Sequence, residues 1–188
     1  GDCPGRKPRL RTEGLKGKTA AVTGAAGTMG RAVVSFLKED GLNVVGLDVN
    51  PEMLSAAREA EPPGGLPNLR FLEGDIRDGG WEDEFDLVNA ARVLQWIPDA
   101  PRALEPMVAA SRPGGRLVAL DYDHTRAHWA ESPVSWRHFY GAFPEWRAAG
   151  HLDNAMIQHL PEDFAAAGLD DVQTVEHVRT VRANEADF

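Results

Sequence analysis

Residues 20–37 read AAVTGAAGTMGRAVVSFL, and the order of residue types in this stretch decides the fold. An apolar run ends at three glycines spaced three apart, Gly24, Gly27 and Gly30, and these open a segment whose apolar residues recur at helical spacing. With its flanks, the stretch reads as a strand TAAVTG at 19–24, a helix GRAVVSFLKEDG at 30–41 and a second strand NVVGLDV at 43–49. That is a β-α-β unit. A glycine-rich turn between strand and helix lets a ligand approach the backbone closely, and the free N–H groups of the helix start favour its polar or anionic part. A nucleotide is therefore expected at this turn, and the rest of the chain has to say which.

Outward from this unit the alternation continues. Gly41 stands where the first helix closes, and Asn50 with Pro51 supplies an N-cap and a first-turn proline for a second helix within DVNPEMLSAAREA, residues 48–60. EPPGGLPN at 61–68 is a loop by its proline and glycine content. LRFLEGDI at 69–76 reads as a third strand, FDLVNAARVL at 85–94 begins with a fourth, and RLVALDYD at 116–123 is a fifth. Between the last two, APRALEPMVAASRPGG at 100–115 reads as a helix closed by Pro113 and two glycines. Strands separated by helical stretches predict an α/β chain, a Rossmann-like, doubly wound, mostly parallel sheet with helices on both faces. A helical cover is expected after the fifth strand, at about residues 124–160, then a helix at PEDFAAAG, 161–168, and a last strand at VQTVEHVRTV, 172–181. Ligands in such sheets bind beyond the C-terminal strand ends, where the strand order switches.

A chain of 188 residues with 43% hydrophobic content can bury one sizeable core, so a single domain over 19–188 is expected. Before it stands a basic leader, residues 1–18, where positions 5–18 hold six Lys or Arg against one Glu; it reads as a flexible, solvated segment. The net charge of -9 excludes a general phosphate-backbone binder, so nucleic acid is not an expected partner. No apolar run approaches the roughly 20 residues that cross a bilayer, so no membrane is expected either. A cytoplasmic protein acting on a small molecule is the resulting expectation. Cys3 is the only cysteine, which excludes an internal disulfide and a cysteine-based zinc site. Six histidines are available as bases, and no metal is expected.

Two family resemblances meet in the chain. GLKGKTAAVTGAAGTMGRAVVSFLKEDGLNVVGLD, residues 14–48, resembles the opening of the extended short-chain dehydrogenase or epimerase family, which implies NAD(P). That family also implies a Tyr-x-x-x-Lys pair, in which the ammonium lowers the phenol's pKa for proton exchange with substrate. The pair is absent: Arg126 follows Tyr122, Pro144 follows Tyr140, and no lysine occurs after Lys38. From about residue 44 to 178 the chain resembles the class I S-adenosylmethionine-dependent methyltransferases of small molecules. GLDVNPEMLSAARE, NLRFLEGDIRD, the run from DEFDLVNAARVLQW through RPGGRLVALDYDH, and HLPEDFAAAGLDDV occur in the order that family uses. RPGGRL, the turn before the fifth strand, is a more specific mark than a glycine triplet. The two resemblances overlap at VVGLDVNPEM, 44–53, the pattern that a fused or designed chimera of two related folds would leave.

Either resemblance implies that Gly24, Gly27 and Gly30 line the cofactor and that Asp48, with Val49 beside it, receives the ribose hydroxyls. The methyltransferase resemblance further implies that Asp75 and Ile76 frame the adenine and that the backbone at Asn89 and Ala90 lies along the methionine part. The glycine turn departs from that family's usual acid followed by G-x-G-x-G, with Val22 at the acidic position and Ala26 and Thr28 at the second and third glycines. Plainer readings stand beside these: glycines that permit close packing, Asp48 as a helix-capping acid, Asp75 as a turn cap. His124, at the end of the fifth strand, is the candidate catalytic base, although an ordinary surface histidine looks the same in sequence. Trp129, Trp136, Phe139, Tyr140 and Trp146 suit either a pocket wall or lid packing. The function implied is S-adenosylmethionine-dependent methyl transfer to a small-molecule acceptor. The alternative is an NAD(P)-binding or engineered Rossmann domain without turnover.

Overall fold

The first five residues of the decisive unit, Thr19–Thr23, form strand β1 at the centre of a parallel five-stranded sheet of order β3-β2-β1-β4-β5. The structure is a computed structural model, and it describes residues 14–128 and 132–178. β1 leads through the glycine turn into helix α1, Thr28–Glu39, then β2, Asn43–Asp48, helix α2, Pro51–Glu59, and β3, Leu69–Glu73. The chain then crosses back to the other side of β1 for β4, Phe85–Ala91, helix α3, Ala100–Ala110, and β5, Ser111–Leu120. Helices α4, Val134–Ala149, and α5, Met156–Ala166, follow. Single 3-10 turns stand at Ile76–Asp78 and Leu94–Trp96.

Burial on both faces explains why β1, β2 and β4 are near-continuous apolar runs instead of alternating ones. One face of these strands, with Ala20, Val22, Val44 and Leu87, packs on Val34 and Leu37 of α1. The other, with Ala21, Val45, Leu47, Val88 and Ala90, packs on Leu104 and Met107 of α3 and Leu160 of α5. Each fully buried Leu or Val contributes roughly 1.5–3 kcal/mol relative to exposure. The start of α2 is fixed by Asn50, whose Oδ1 accepts the Met53 N–H at 3.0 Å, with Pro51 in the first turn.

Three expectations about the second half change. Helix α3 ends at Ala110, not at Gly115, and Ser111 already pairs with Phe85 in β5. The register jumps from Phe85↔Ser111 to Leu87↔Arg116, so Arg112–Gly115 bulge out of an edge strand, where a proline without an N–H is tolerated. β5 also stops at Leu120, short of Asp123. The last strand expected at 172–181 is not formed over 172–178, where Val175 and Val178 are exposed; 179–181 lie outside the described residues. So does most of the basic leader, residues 1–13, whereas Leu15 packs against the α1 side of the core.

Register places the working end of the sheet. Thr23 pairs with Leu47 and Ala90, Asp48 with Glu73, and Ala91 with Leu120, so five strands end at one level. The strand order reverses between β1 and β4, and the cleft that such a reversal creates opens between the glycine turn and the residues after Ala91.

Candidate functional site

The glycine turn is tied down by its own amides. Ala25 N–H donates to the Leu47 carbonyl, Ala26 N–H to Asp48 Oδ2, both at 3.0 Å, and Gly27 N–H to the Gly24 carbonyl at 3.0 Å. Two of the three glycines are sterically required. Gly24 has φ +62, and a Cβ there would sit 2.6 Å from Val93 Cγ2. A Cβ on Gly30 would overlap the Gly24 carbonyl. At Gly27 the nearest atom to such a Cβ is 3.3 Å away, a tight fit only. The close-packing reading therefore accounts for Gly24 and Gly30.

Asp48, at the end of β2, stands in the wall of the cleft beside the glycine turn. It is 9% exposed; Oδ2 accepts the Ala26 N–H and Oδ1 the Asn50 N–H, each at 3.0 Å. One bond per oxygen leaves lone pairs free on both, in a carboxylate held between the glycine turn and the start of α2. Its plainer reading as the α2 cap does not hold, because Asn50 takes that role. Val49, next to it, is 64% exposed and forms an apolar rim.

Asp75 caps the turn Ile76–Asp78, with Oδ1 accepting the Arg77 N–H at 2.8 Å. The Arg77 guanidinium also clamps it and holds its carboxyl below the usual carboxylate range. Its neighbour Ile76 is buried in the α3 core. Asn89 gives its carbonyl to the Thr23 hydroxyl at 3.3 Å, and its buried side-chain Oδ1 has no partner. Ala90 is fully buried, paired with both Thr23 and Ala119, so the segment reaches the cleft after it. There Arg92 has φ +64, unusual for a side chain of this size, and its guanidinium lies 3.6 Å from the centre of the Tyr122 ring.

Beyond β4 and β5 lies a buried polar network. Gln95, 2% exposed, is its hub: its carbonyl accepts Arg147 Nη2 at 2.9 Å and its side-chain Oε1 accepts His124 Nε2 at 2.8 Å. Its N–H points to Asp121 Oδ2 at 3.4 Å. Arg147, fully buried, also bonds Asn154 Oδ1 at 2.8 Å and fixes α4 over the sheet end. Burial pushes the Asp121 carboxyl up to about 7. Burial first, and the Arg147 and Arg92 charges after it, hold the His124 imidazole below its ordinary value, so it is neutral at pH 7. His124 is thus half-buried and bonded, not an ordinary surface side chain.

Of the aromatics named from sequence, Trp136, Phe139, Tyr140 and Trp146 stand on α4 with Phe143, ring against ring, and Phe143 meets the His124 ring edge-on at 5.5 Å. Trp129 lies outside the described residues. His124 and His128 stand four apart, a spacing seen in metal sites, yet among the described residues no group of three His, Cys, Asp or Glu can hold a metal ion. No helix of the described residues is long and apolar enough to cross a membrane. A cleft of about 420 Å³ lies at the opposite strand ends, among Thr19, Asn43, Asn68 and Arg112, away from all of these groups. Sequence reasoning missed Arg92, Gln95, Asp121 and Arg147. Only Asp121 carries a signal, since an acid closing an apolar strand repeats the pattern of Asp48.

A family model described as a methyltransferase domain matches residues 25–119, half of the chain, starting inside the glycine turn. Trans-aconitate 2-methyltransferase of Deinococcus radiodurans is 42% identical over 84 residues, 43% of this chain and 30% of that protein. The protein of the same name from Azoarcus sp. is 34% identical over 97 residues, 50% of this chain and 36% of that protein. The matches thus span about a third of the length of these curated relatives. Among solved structures, an S-adenosylmethionine-dependent methyltransferase from Mesorhizobium loti has a TM-score of 0.51 at 25% identity, covering 61% of this chain and 51% of that one. Phosphoethanolamine N-methyltransferase 2 of Haemonchus contortus, in complex with S-adenosyl-L-methionine, reaches 0.64 at 22% identity over 83% of this chain and 34% of that one, a likeness of fold.

Proposed function

This chain belongs to the methyltransferase domain family, and from that premise we propose that its cleft binds S-adenosylmethionine and serves methyl transfer to a small-molecule acceptor. The observation that carries the reading is Asp48, a buried carboxylate pinned by two backbone amides with an unused lone pair on each oxygen. Two adjacent ribose hydroxyls need two acceptors side by side, and a carboxylate offers them without rotation or added desolvation.

Of the other groups, Val49, exposed beside Asp48, offers apolar contact to an adenine, whereas Ile76 is turned into the α3 core and both Asp75 oxygens are held by Arg77. Arg92 and the backbone after Ala90 stand beside the methionine part. When bound, the cofactor supplies a methyl on a sulfonium; the carbon–sulfur bond breaks, its electron pair stays on sulfur, and a new bond forms to the acceptor's nucleophilic atom. The chain's own contribution is positioning: the glycine turn and Asp48 fix one partner, and the network under α4 frames the other. Holding reacting atoms about 3 to 3.5 Å apart lowers the barrier by several kcal/mol without a dedicated base. His124, neutral with Nε2 committed to Gln95, keeps Nδ1 in proton-accepting form for an acceptor that must lose a proton.

A dinucleotide remains the second reading, favoured by the glycine spacing. Against it, the amides of Ala25, Ala26 and Gly27 are spent inside the fold and no tyrosine-lysine pair is available. Calorimetric titration separates the two. S-adenosylhomocysteine should bind the parent chain and lose affinity with Asp48→Ala, while tight NAD(P) binding without any for S-adenosylhomocysteine overturns the assignment.

A further inference from the structure

Arg147 is a costly side chain to bury. A guanidinium removed from water costs several kcal/mol unless its charge is met by an opposite one. Here it is 0% exposed, and its bonds go to neutral acceptors: Asn154 Oδ1, the Gln95 carbonyl and the Asp153 carbonyl at 3.2 Å. Its Nη1 has no partner at all. Nearby, Arg92 holds a left-handed backbone and leaves its Nε without a partner, and Gln95 Nε2 is a third buried donor with nothing to donate to. Among the described residues neither arginine has a carboxylate within ion-pair distance, although the chain carries a net charge of -9.

Three donors and two positive charges without an ion-pair partner call for an acceptor that is anionic. A hydroxyl or amide acceptor would satisfy the donors and leave the charge; an amine would be repelled. The Trp96 and Phe143 rings lie 5.2 and 5.8 Å from the Arg147 guanidinium carbon, so flat apolar faces stand beside it. Those walls suit a planar oxyanion that meets a guanidinium fork better than a tetrahedral one. We propose that Arg147, Gln95 and Arg92 form a carboxylate subsite that binds a carboxylate of the methyl acceptor. The subsite rests on the methyl-transfer reading for its substrate, though not for its chemistry. Asp121, whose Oδ1 is also unpartnered, has its carboxyl pushed up to about 7, so below that pH it presents an O–H instead of a repelling charge.

The full chain, saturated with S-adenosylhomocysteine, is titrated by calorimetry with succinate, dimethyl succinate and inorganic phosphate. Succinate should bind, the uncharged diester should not, and phosphate should bind at least tenfold more weakly. Arg147→Gln should weaken succinate at least tenfold; Arg92→Gln, whose side chain does not enter the core, should weaken it about fivefold and guards against misfolding of the first variant. Affinity for S-adenosylhomocysteine should stay within twofold in Arg147→Gln, the variant on which the test of the cofactor rests. The cofactor's own carboxylate is the competing source. If Arg147→Gln weakens S-adenosylhomocysteine tenfold but leaves 5′-methylthioadenosine, which lacks the amino-acid end, unchanged, the proposal is overturned. Absence of succinate binding overturns it too. Should the parent chain not bind S-adenosylhomocysteine, the methyl-transfer reading fails separately, and succinate titrated alone still decides whether the arginines hold a carboxylate.

Discussion

Replacing Asp121 by Asn should make the protein more stable, and only above a definite pH. Burial raises the Asp121 carboxyl from its ordinary 3.8 to about 7, against the opposing pull of the Gln95 N–H and the Arg92 and Arg147 charges. Between about pH 4 and pH 7 the unfolded chain has lost this proton while the folded chain keeps it. The folded state then binds more protons, so the group's contribution to stability falls as pH rises through that window and is constant above it. Three pH units at about 1.4 kcal/mol each give a ceiling of about 4 kcal/mol. Asparagine has the same shape and nothing to ionise, so the variant escapes the loss. Urea unfolding of both proteins at pH 4, 5, 6, 7 and 8, followed by circular dichroism, should show the variant's advantage growing by about 1 kcal/mol per pH unit and levelling off beyond pH 7. Stability curves that run parallel from pH 4 to 8 would refute the argument, since they would mean that Asp121 ionises alike in the folded and unfolded chain.

Asp48→Ala removes two charge-assisted acceptors from the cleft, at roughly 1.5 kcal/mol each, and should raise the dissociation constant for S-adenosylhomocysteine about 100-fold in calorimetry; a change under threefold would displace the ribose from this residue. Gly30→Ala forces a methyl group into the Gly24 carbonyl, should cost about 3 kcal/mol and should lower Tm by on the order of 10 °C, whereas an unchanged Tm would contradict the tight contact. Arg92→Gly relieves a left-handed backbone worth about 1–2 kcal/mol and loses a cation–π contact worth about 0.5–1, so thermal denaturation should shift little; Arg92→Val, β-branched in the same conformation, should be clearly destabilised.

The β-α-β unit was legible because each of its signals has one physical cause. Strands buried on both faces must be apolar throughout, and Asn50 followed by Pro51 can cap one helix start and little else. The Pro-Gly-Gly run after Ala110 was harder, since the same residues close a helix or bulge an edge strand, and only the register with β4 distinguishes them. The absent strand over 172–178 has a visible reason in retrospect: its valines at 172, 175, 178 and 181 recur every three positions, which puts them on no single face of a pleated strand. In the cleft, Asp48 stood out because an acid directly after an apolar strand has to end up at the sheet's C-terminal edge. Arg147 could not, because nothing in EWRAAG marks a cation for burial; α4 buries it only by docking on the turn at Gln95.

The position of β1 also sets an order in time. Its pairing with β2 joins residues as close as Thr19 and Asn43, but its pairing with β4 waits for Asn89, 66 residues beyond Thr23. The shorter closure forms first, as chain entropy disfavours the longer one. A chain still emerging from synthesis can therefore assemble the glycine turn and Asp48 on β1, β2 and β3 while the opposite wall is unmade. The cleft appears only in the step that seals the other edge of the sheet's central strand.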